Sequence, residues 1–173
     1  MTEDTSTDGT AERVALNHVG HTVPDIEAAV EWYRDVLGLS VTLSPKTITA
    51  DGSDLAGRFE TIVGEFEQVR MAHLRDRDGH GFELFEYASV SESETAWERR
   101  DEGNWPHRPG INHLAVTCED VDALARRVED NGGTRYTDVW EINPDIGHEV
   151  AYLTDPWDNV IEASSHSFDH FSK

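Results

Sequence analysis

Four side chains recur in this chain with types and spacing that could hold a metal ion. His18 and His113 each follow an asparagine, in the phrases Asn17-His18-Val19-Gly20-His21-Thr22 and Asn112-His113-Leu114-Ala115-Val116-Thr117. A Thr and an Asp stand four and seven residues beyond each of the two histidines. Glu83 and Glu162 each follow an Asp-led turn, Asp76 in DRDGHGFE and Asp155 in DPWDNVIE. A His or Glu flanked by apolar residues on a strand must face solvent or turn into a cavity with a partner. If the two copies pack with their concave faces together, all four residues converge. Two imidazoles and two carboxylates make a mixed nitrogen and oxygen set suited to Zn²⁺, Ni²⁺, Co²⁺, Mn²⁺ or Fe²⁺, not to a structural thiolate site.

The elements that must position these residues repeat as well. Strands are expected at 14–20 and 111–117, each followed by an acidic helix start. In the first copy Ile26, Ala29, Val30, Tyr33 and Leu37 share a helix face that ends at Gly38. In the second, Val121, Leu124, Ala125 and Val128 do so, ending at Asn131-Gly132-Gly133. Further strands are expected at 39–48, 67–75 and 81–88, then at 134–142, 149–154 and 159–164. The module is βαβββ, used twice, with an insertion in the first copy within 44–66. This divides the chain into an N-terminal tail (1–13), a first module (14–88), a polar linker (89–109) with a helical turn around Ala96 to Arg100, a second module (110–165) and a C-terminal tail (166–173). Both tails lack periodicity and are expected to be mobile.

Composition narrows the partners. In 173 residues, 35 acidic against 14 basic side chains leave a net charge of −21, which repels nucleic-acid phosphates and anionic membrane surfaces. No apolar run approaches the ~20 residues of a membrane-spanning helix. Lys46 and Lys173 are the lysines of the chain, and a carboxylate-rich, lysine-poor surface resembles that of a halophile's cytosolic protein. The single cysteine, Cys118, excludes an internal disulfide and a multi-cysteine zinc site. The first residues are polar and acidic, without a secretory pattern, and a cytoplasmic location is expected.

The phrases NHVGHTVPDIEAAVEWYRDVLGL, GFELFEY, GINHLAVTCEDVDAL and YLTDPWDNVIEAS resemble the vicinal oxygen chelate superfamily. That superfamily includes glyoxalase I, methylmalonyl-CoA epimerase, extradiol dioxygenases and the bleomycin and fosfomycin resistance proteins. The resemblance spans residues 14–165. It implies an α+β fold in which two tandem βαβββ modules form a paired, incompletely closed β-barrel around a metal site. His18, Glu83, His113 and Glu162 stand at the family's ligand positions. It also implies that the open positions of a divalent metal (Ni, Co, Zn or Mn) chelate two vicinal oxygens of a small carbonyl substrate, with Glu83 or Glu162 as the base in isomerase, epimerase or lyase chemistry through an enediolate.

Two other branches remain open. Ring-cleaving dioxygenases use Fe²⁺ with two His and one carboxylate; Glu83 argues for the glyoxalase branch, while Tyr152, ten residues before Glu162, is similar to the dioxygenase pattern. A metal-poor binding protein of the bleomycin-resistance type is the third class. The glyoxalase I residues that hold glutathione correspond to Thr22 and Tyr87, which fit that ligand poorly; another thiol adduct, a CoA ester or an unrelated α-hydroxy carbonyl compound fits equally well. A homodimer is expected, although modules of this superfamily pair either within or between chains. His21 is expected at the surface, His73 and His148 either at a solvated edge or orienting ligands, and His166 and His170 in the tail without a role. Trp32, Tyr33 and Leu37 read as helix core, Trp105 and Trp157 as loop packing, and Cys118 as a small buried filler.

Overall fold

The computed structural model describes residues 14–88 and 110–171. The expected N-terminal tail, the linker with its helical turn, and Trp105 lie outside the described residues. The first module contains β1 (His18–Thr22), α1 (Ile26–Leu37), β2 (Ser40–Thr49), α2 (Asp54–Val63), β3 (Gln68–Arg75) and β4 (Gly81–Tyr87). The second contains β5 (Leu114–Thr117), α3 (Val121–Asp130), β6 (Thr134–Arg135), β7 (Trp140–Asn143), β8 (His148–Thr154) and β9 (Val160–Ser164), followed by a 3-10 turn at Phe168–His170.

The two modules share one topology. The first sheet runs β1-β4-β3-β2 and the second β5-β9-β8-β6, with β7 also on β8. In each, the first strand lies parallel to the last and the remaining pairs are antiparallel. The fold is α+β, built of two open mixed sheets that do not close into a barrel. Among the described residues no helix is long and apolar enough to cross a membrane.

Local chemistry sets the helix ends. Asp25 accepts from Ala28 N at 3.0 Å and Asp120 from Ala123 N at 2.8 Å, each satisfying an amide left unpaired in the first turn. Gly38, at φ 74°, closes α1 in the left-handed conformation that costs glycine little.

Two elements depart from expectation. The 44–66 insertion contains α2, capped by Ser53. Its short apolar face of Ala56, Phe59 and Val63 is interrupted by Gly57 and bracketed by Gly52 and Gly64, which read as loop. The expected strand 134–142 is two pieces, since Tyr136 and Thr137 both donate to the Tyr152 carbonyl and break the ladder.

The core lies on the helix side of both sheets and is continuous between modules. Val30, Trp32, Tyr33 and Val36 join Leu124, Val128, Leu153 and Ile161 in one buried cluster. Trp32 Nε1 donates to the Asn131 carbonyl at 2.9 Å, and Tyr33 OH donates to Asp155 Oδ2 at 2.6 Å. Trp157 packs edge-on to Trp32 at 6.4 Å, with Tyr33 6.3 Å away. The modules of one chain therefore dock helix to helix, and the opposite face of each sheet is left without a helix of its own module's α1 or α3 type.

Candidate functional site

The four repeated residues form two pairs on those opposite faces. On β4, Phe82 and Leu84 are buried toward α1 while Glu83, Phe85 and Tyr87 alternate to the other side. His18 Nε2 stands 3.4 Å from Glu83 Oε2. His73, opposite Glu83 in the β3–β4 ladder, brings its Nε2 to 3.2 Å from Oε1. In the second module His113 Nε2 lies 3.2 Å from Glu162 Oε2, and Tyr152 OH donates to that same oxygen at 2.7 Å.

Within one chain the two pairs do not meet. None of the substantial contacts between elements joins β1 or β4 to β5 or β9; the helix contact between modules is α1 on α3. Among the described residues, no three of His18, Glu83, His113 and Glu162 bring ligand atoms within 4.8 Å of one another. The group that does, Asp25, Glu27 and Glu86, is engaged at the start of α1. Asp25 caps the helix, Glu86 accepts from Ile26 N at 2.9 Å, and Arg70 pairs with both Glu27 and Glu86.

The asparagines before the two histidines were quoted in the repeat without a role, and the structure supplies one. His18 Nδ1 lies 2.7 Å from Asn17 Oδ1, and His113 Nδ1 lies 2.9 Å from Asn112 Oδ1. A carboxamide oxygen only accepts, so each Nδ1 carries a proton, and in the neutral ring each Nε2 is a lone pair. Each lone pair then faces a carboxylate, acceptor against acceptor. That arrangement is repulsive unless a cation or a proton stands between them, and the donor set fits a divalent metal of the first transition row.

The two glutamates differ in their surroundings. Glu162 has a side chain 8% exposed and is pinned by Tyr152, whereas Glu83 is 26% exposed between two imidazoles. Burial, the hydrogen bond to Glu162 and its negative charge push the Tyr152 hydroxyl up to about 12. Tyr152 is therefore a donor at neutral pH.

Other histidines depart from expectation. His21 does point away from His18, but that face is the helix-covered one: its ring stacks on Phe82 at 5.5 Å and meets Tyr33 edge-on at 6.2 Å. Burial holds its pKa down against the pull of Asp155 and Asn159. His148 is fully buried rather than at a solvated edge. Its Nε2 lies 2.8 Å from Ser164 Oγ, and the rings of His166 and Phe171 cover it at 5.1 and 4.6 Å. His166 and Phe171 thus pack on the second module, and His170 stacks edge-on with His166 at 5.3 Å. Cys118 is half-buried against the core, where burial raises its thiol pKa.

The fold is a pair of βαβββ modules, with His18 opening β1, His113 immediately before β5, and Glu83 and Glu162 on the last strands. The chain belongs to the Glyoxalase/Bleomycin resistance protein/Dioxygenase superfamily, whose model matches residues 15–163. It is 30% identical over 152 residues to a 2-epi-5-epi-valiolone epimerase from Actinomyces sp, covering 86% of this chain and 78% of that protein. A glyoxalase family protein from Bacillus cereus has the same fold, with TM-score 0.69 at 17% identity over 90% of this chain and 95% of that one. Glyoxalase I from Zea mays aligns with TM-score 0.56 at 16% identity over 88% of this chain and 44% of the maize protein.

Proposed function

We propose that the protein is a metal-dependent isomerase or epimerase of the glyoxalase type, acting on a small hydroxycarbonyl compound. It works as a homodimer in which His18 and Glu83 of one protomer meet His113 and Glu162 of the partner subunit. The observation that carries this reading is the repeated pair, an imidazole Nε2 within 3.4 Å of a carboxylate oxygen in each module, with each Nδ1 held by the preceding asparagine. The similarity to an epimerase supports the reaction class.

A divalent ion held by these four residues would act as a Lewis acid, acidifying the carbon next to a carbonyl. The chain's own residues supply the proton traffic. Two carboxylates give one base to remove a proton and a second group to return it, as a two-base epimerisation uses. Glu162, tied by Tyr152 and largely buried, is the fixed member. Glu83, more exposed and flanked by His18 and His73, is the one that removes the proton, and the Tyr152–Glu162 pair returns one. Neither lyase chemistry nor cytoplasmic location is needed for this reading.

The test is elemental mass spectrometry of protein purified in high salt, for the wild type and Glu83→Ala, beside light scattering of both. Near-stoichiometric Ni, Co, Zn or Mn in a wild-type dimer, lost in the variant, is expected, together with deuterium uptake from D₂O into 2-epi-5-epi-valiolone. Iron retained in Glu83→Ala with oxygen consumption would favour the dioxygenase reading, for which the Tyr152–Glu162 contact is the supporting feature. Absence of metal under every loading condition would leave a binding protein.

A further inference from the structure

The open face of the first sheet continues from Glu83 into a run of aromatic rings that the metal-site reading does not use. Phe85 and Tyr87 follow Glu83 at alternate positions on β4, half-buried, with ring centroids 6.3 Å apart and planes 20° from parallel. From the inserted helix α2, Phe59 reaches Phe85 at 6.5 Å and Phe66 at 6.4 Å. Gly20 lies beside Glu83 in the β1–β4 ladder, and a Cβ there would stand 3.4 Å from Phe85 Cε2. The Phe85 ring thus lies against the β1 backbone next to the carboxylate. Beyond the wall, Phe66 lines a cavity of about 460 Å³ together with Thr49, Glu67 and Gln68, within the size range of small-molecule sites.

The charge pattern of this wall is informative. Thr22, beside Phe85, and Tyr87 are neutral, and among the described residues lining the cavity the charged group is the carboxylate of Glu67. In a chain of net charge −21, an anionic ligand would meet repulsion on approach, and the described residues lining the cavity supply no cation to offset it. Aromatic faces instead favour flat, apolar C–H surfaces, which they engage by dispersion while leaving rim hydroxyls free to hydrogen-bond.

We infer that Phe59, Phe85 and Tyr87 receive the non-reacting body of an uncharged, ring-shaped hydroxyketone whose carbonyl end reaches Glu83. Anionic thiol conjugates such as glutathione adducts or CoA esters are disfavoured by the same charge pattern. This rests on the proposed hydroxycarbonyl chemistry and names its substrate class. Phe59 is the specificity-determining residue, since it belongs to the insertion and touches neither His18 nor Glu83.

Ligand-observed NMR on the metal-free full chain tests the wall without relying on turnover, using 2-hydroxycyclohexanone as the neutral ring and S-methylglutathione as the anionic thiol conjugate. Wild type is expected to bind the ring ketone in preference to the conjugate. Phe59→Ala should weaken the ketone three- to tenfold, and Phe59→Leu, which keeps apolar bulk without a ring, should weaken it nearly as much. An unchanged melting temperature shows that both variants are folded. Tighter binding of S-methylglutathione, or equal ketone affinity in wild type and both variants, would overturn the inference. Deuterium uptake into the ketone by metal-loaded protein separates the two levels. Uptake abolished by Glu83→Gln with no effect of Phe59→Ala on affinity keeps the reaction class and removes the wall, whereas ketone binding at the wall without any uptake supports the wall and removes the reaction class.

Discussion

Gly81 sits directly beside His18 in the parallel β1–β4 pair, so close that a Cβ on Gly81 would lie 2.8 Å from the His18 Cβ. The bare backbone at Gly81 is what allows the imidazole to stand over the end of β4 and face Glu83. Gly81→Ala must push the β1 backbone or the His18 ring aside. We expect it to cost about 1–3 kcal/mol of stability, in the range of overpacking substitutions, and to weaken metal retention as His18 moves. Urea unfolding of the metal-free protein and metal titration check both parts; a variant with wild-type values in each would show that the contact is slack.

The Asn-His repeat yields a second expectation. Asn112 Oδ1 holds the Nδ1 proton of His113 at 2.9 Å, so Asn112→Leu frees the tautomer without removing a ligand. Metal affinity should fall ten- to a hundredfold, as is typical when such a supporting bond is lost, with the melting temperature of the metal-free protein little changed. Competition with a chromophoric chelator reads the affinity, and Asn112→Asp, which keeps an acceptor, should restore most of it.

Docking of the two modules depends on a buried phenol. Tyr33 OH donates to Asp155 at 2.6 Å, and Asp155 also takes bonds from the Asn159 backbone and side chain, both at 2.8 Å. Tyr33→Phe removes one donor from a buried carboxylate that keeps the others. A loss of about 1.5–3 kcal/mol is expected, the range for hydrogen bonds to charged groups, with an unchanged urea m-value because the same surface is still buried. No loss on denaturation would mean that the Trp157 and Asn159 donors satisfy the carboxylate without the phenol.

Acid should loosen the cover over the second module. Burial, followed by the charges of His166 and His170, holds the pKa of His148 below its ordinary 6.5, while Glu162 pulls it upward. A histidine with a lowered folded pKa favours the neutral form in the fold. Its contribution to stability is therefore complete above the unfolded value and is lost as pH falls below it. Burial shifts His21 in the same direction. The melting temperature of metal-free protein should drop between about pH 6.5 and pH 5, less steeply in His148→Gln, whose amide can still donate to Ser164. Parallel profiles for the two proteins would assign the drop to other groups.

The β4 alternation was legible because it is local: Phe82 and Leu84 against Glu83 and Phe85 follow from a two-residue period. The Asp25 and Asp120 caps were legible for the same reason. Helix α2 was not, because Phe59 and Val63 are few apolar residues among glycines and polar groups, and the helix depends on Phe85 of another element to cover Phe59. His73 could not be placed opposite Glu83 without the antiparallel register, since a slip of one residue would turn it to the other face. His21 was assigned the correct side of β1, but only the packing of α1 made that side interior.

The sequence by itself determined the repeated module, its strand and helix order, and which residues carry donor atoms, all properties of short-range periodicity and capping. Only the tertiary structure decided that α1 and α3 bury against one another, which separates His18 and Glu83 from His113 and Glu162 within a chain. It alone folded His166 and Phe171 over His148 and laid α2 beside the Glu83 face. The physical reason is that every amphipathic element specifies an apolar face but not its partner. The partner is chosen by the joint burial of all such faces, a property of the whole chain that no single segment contains.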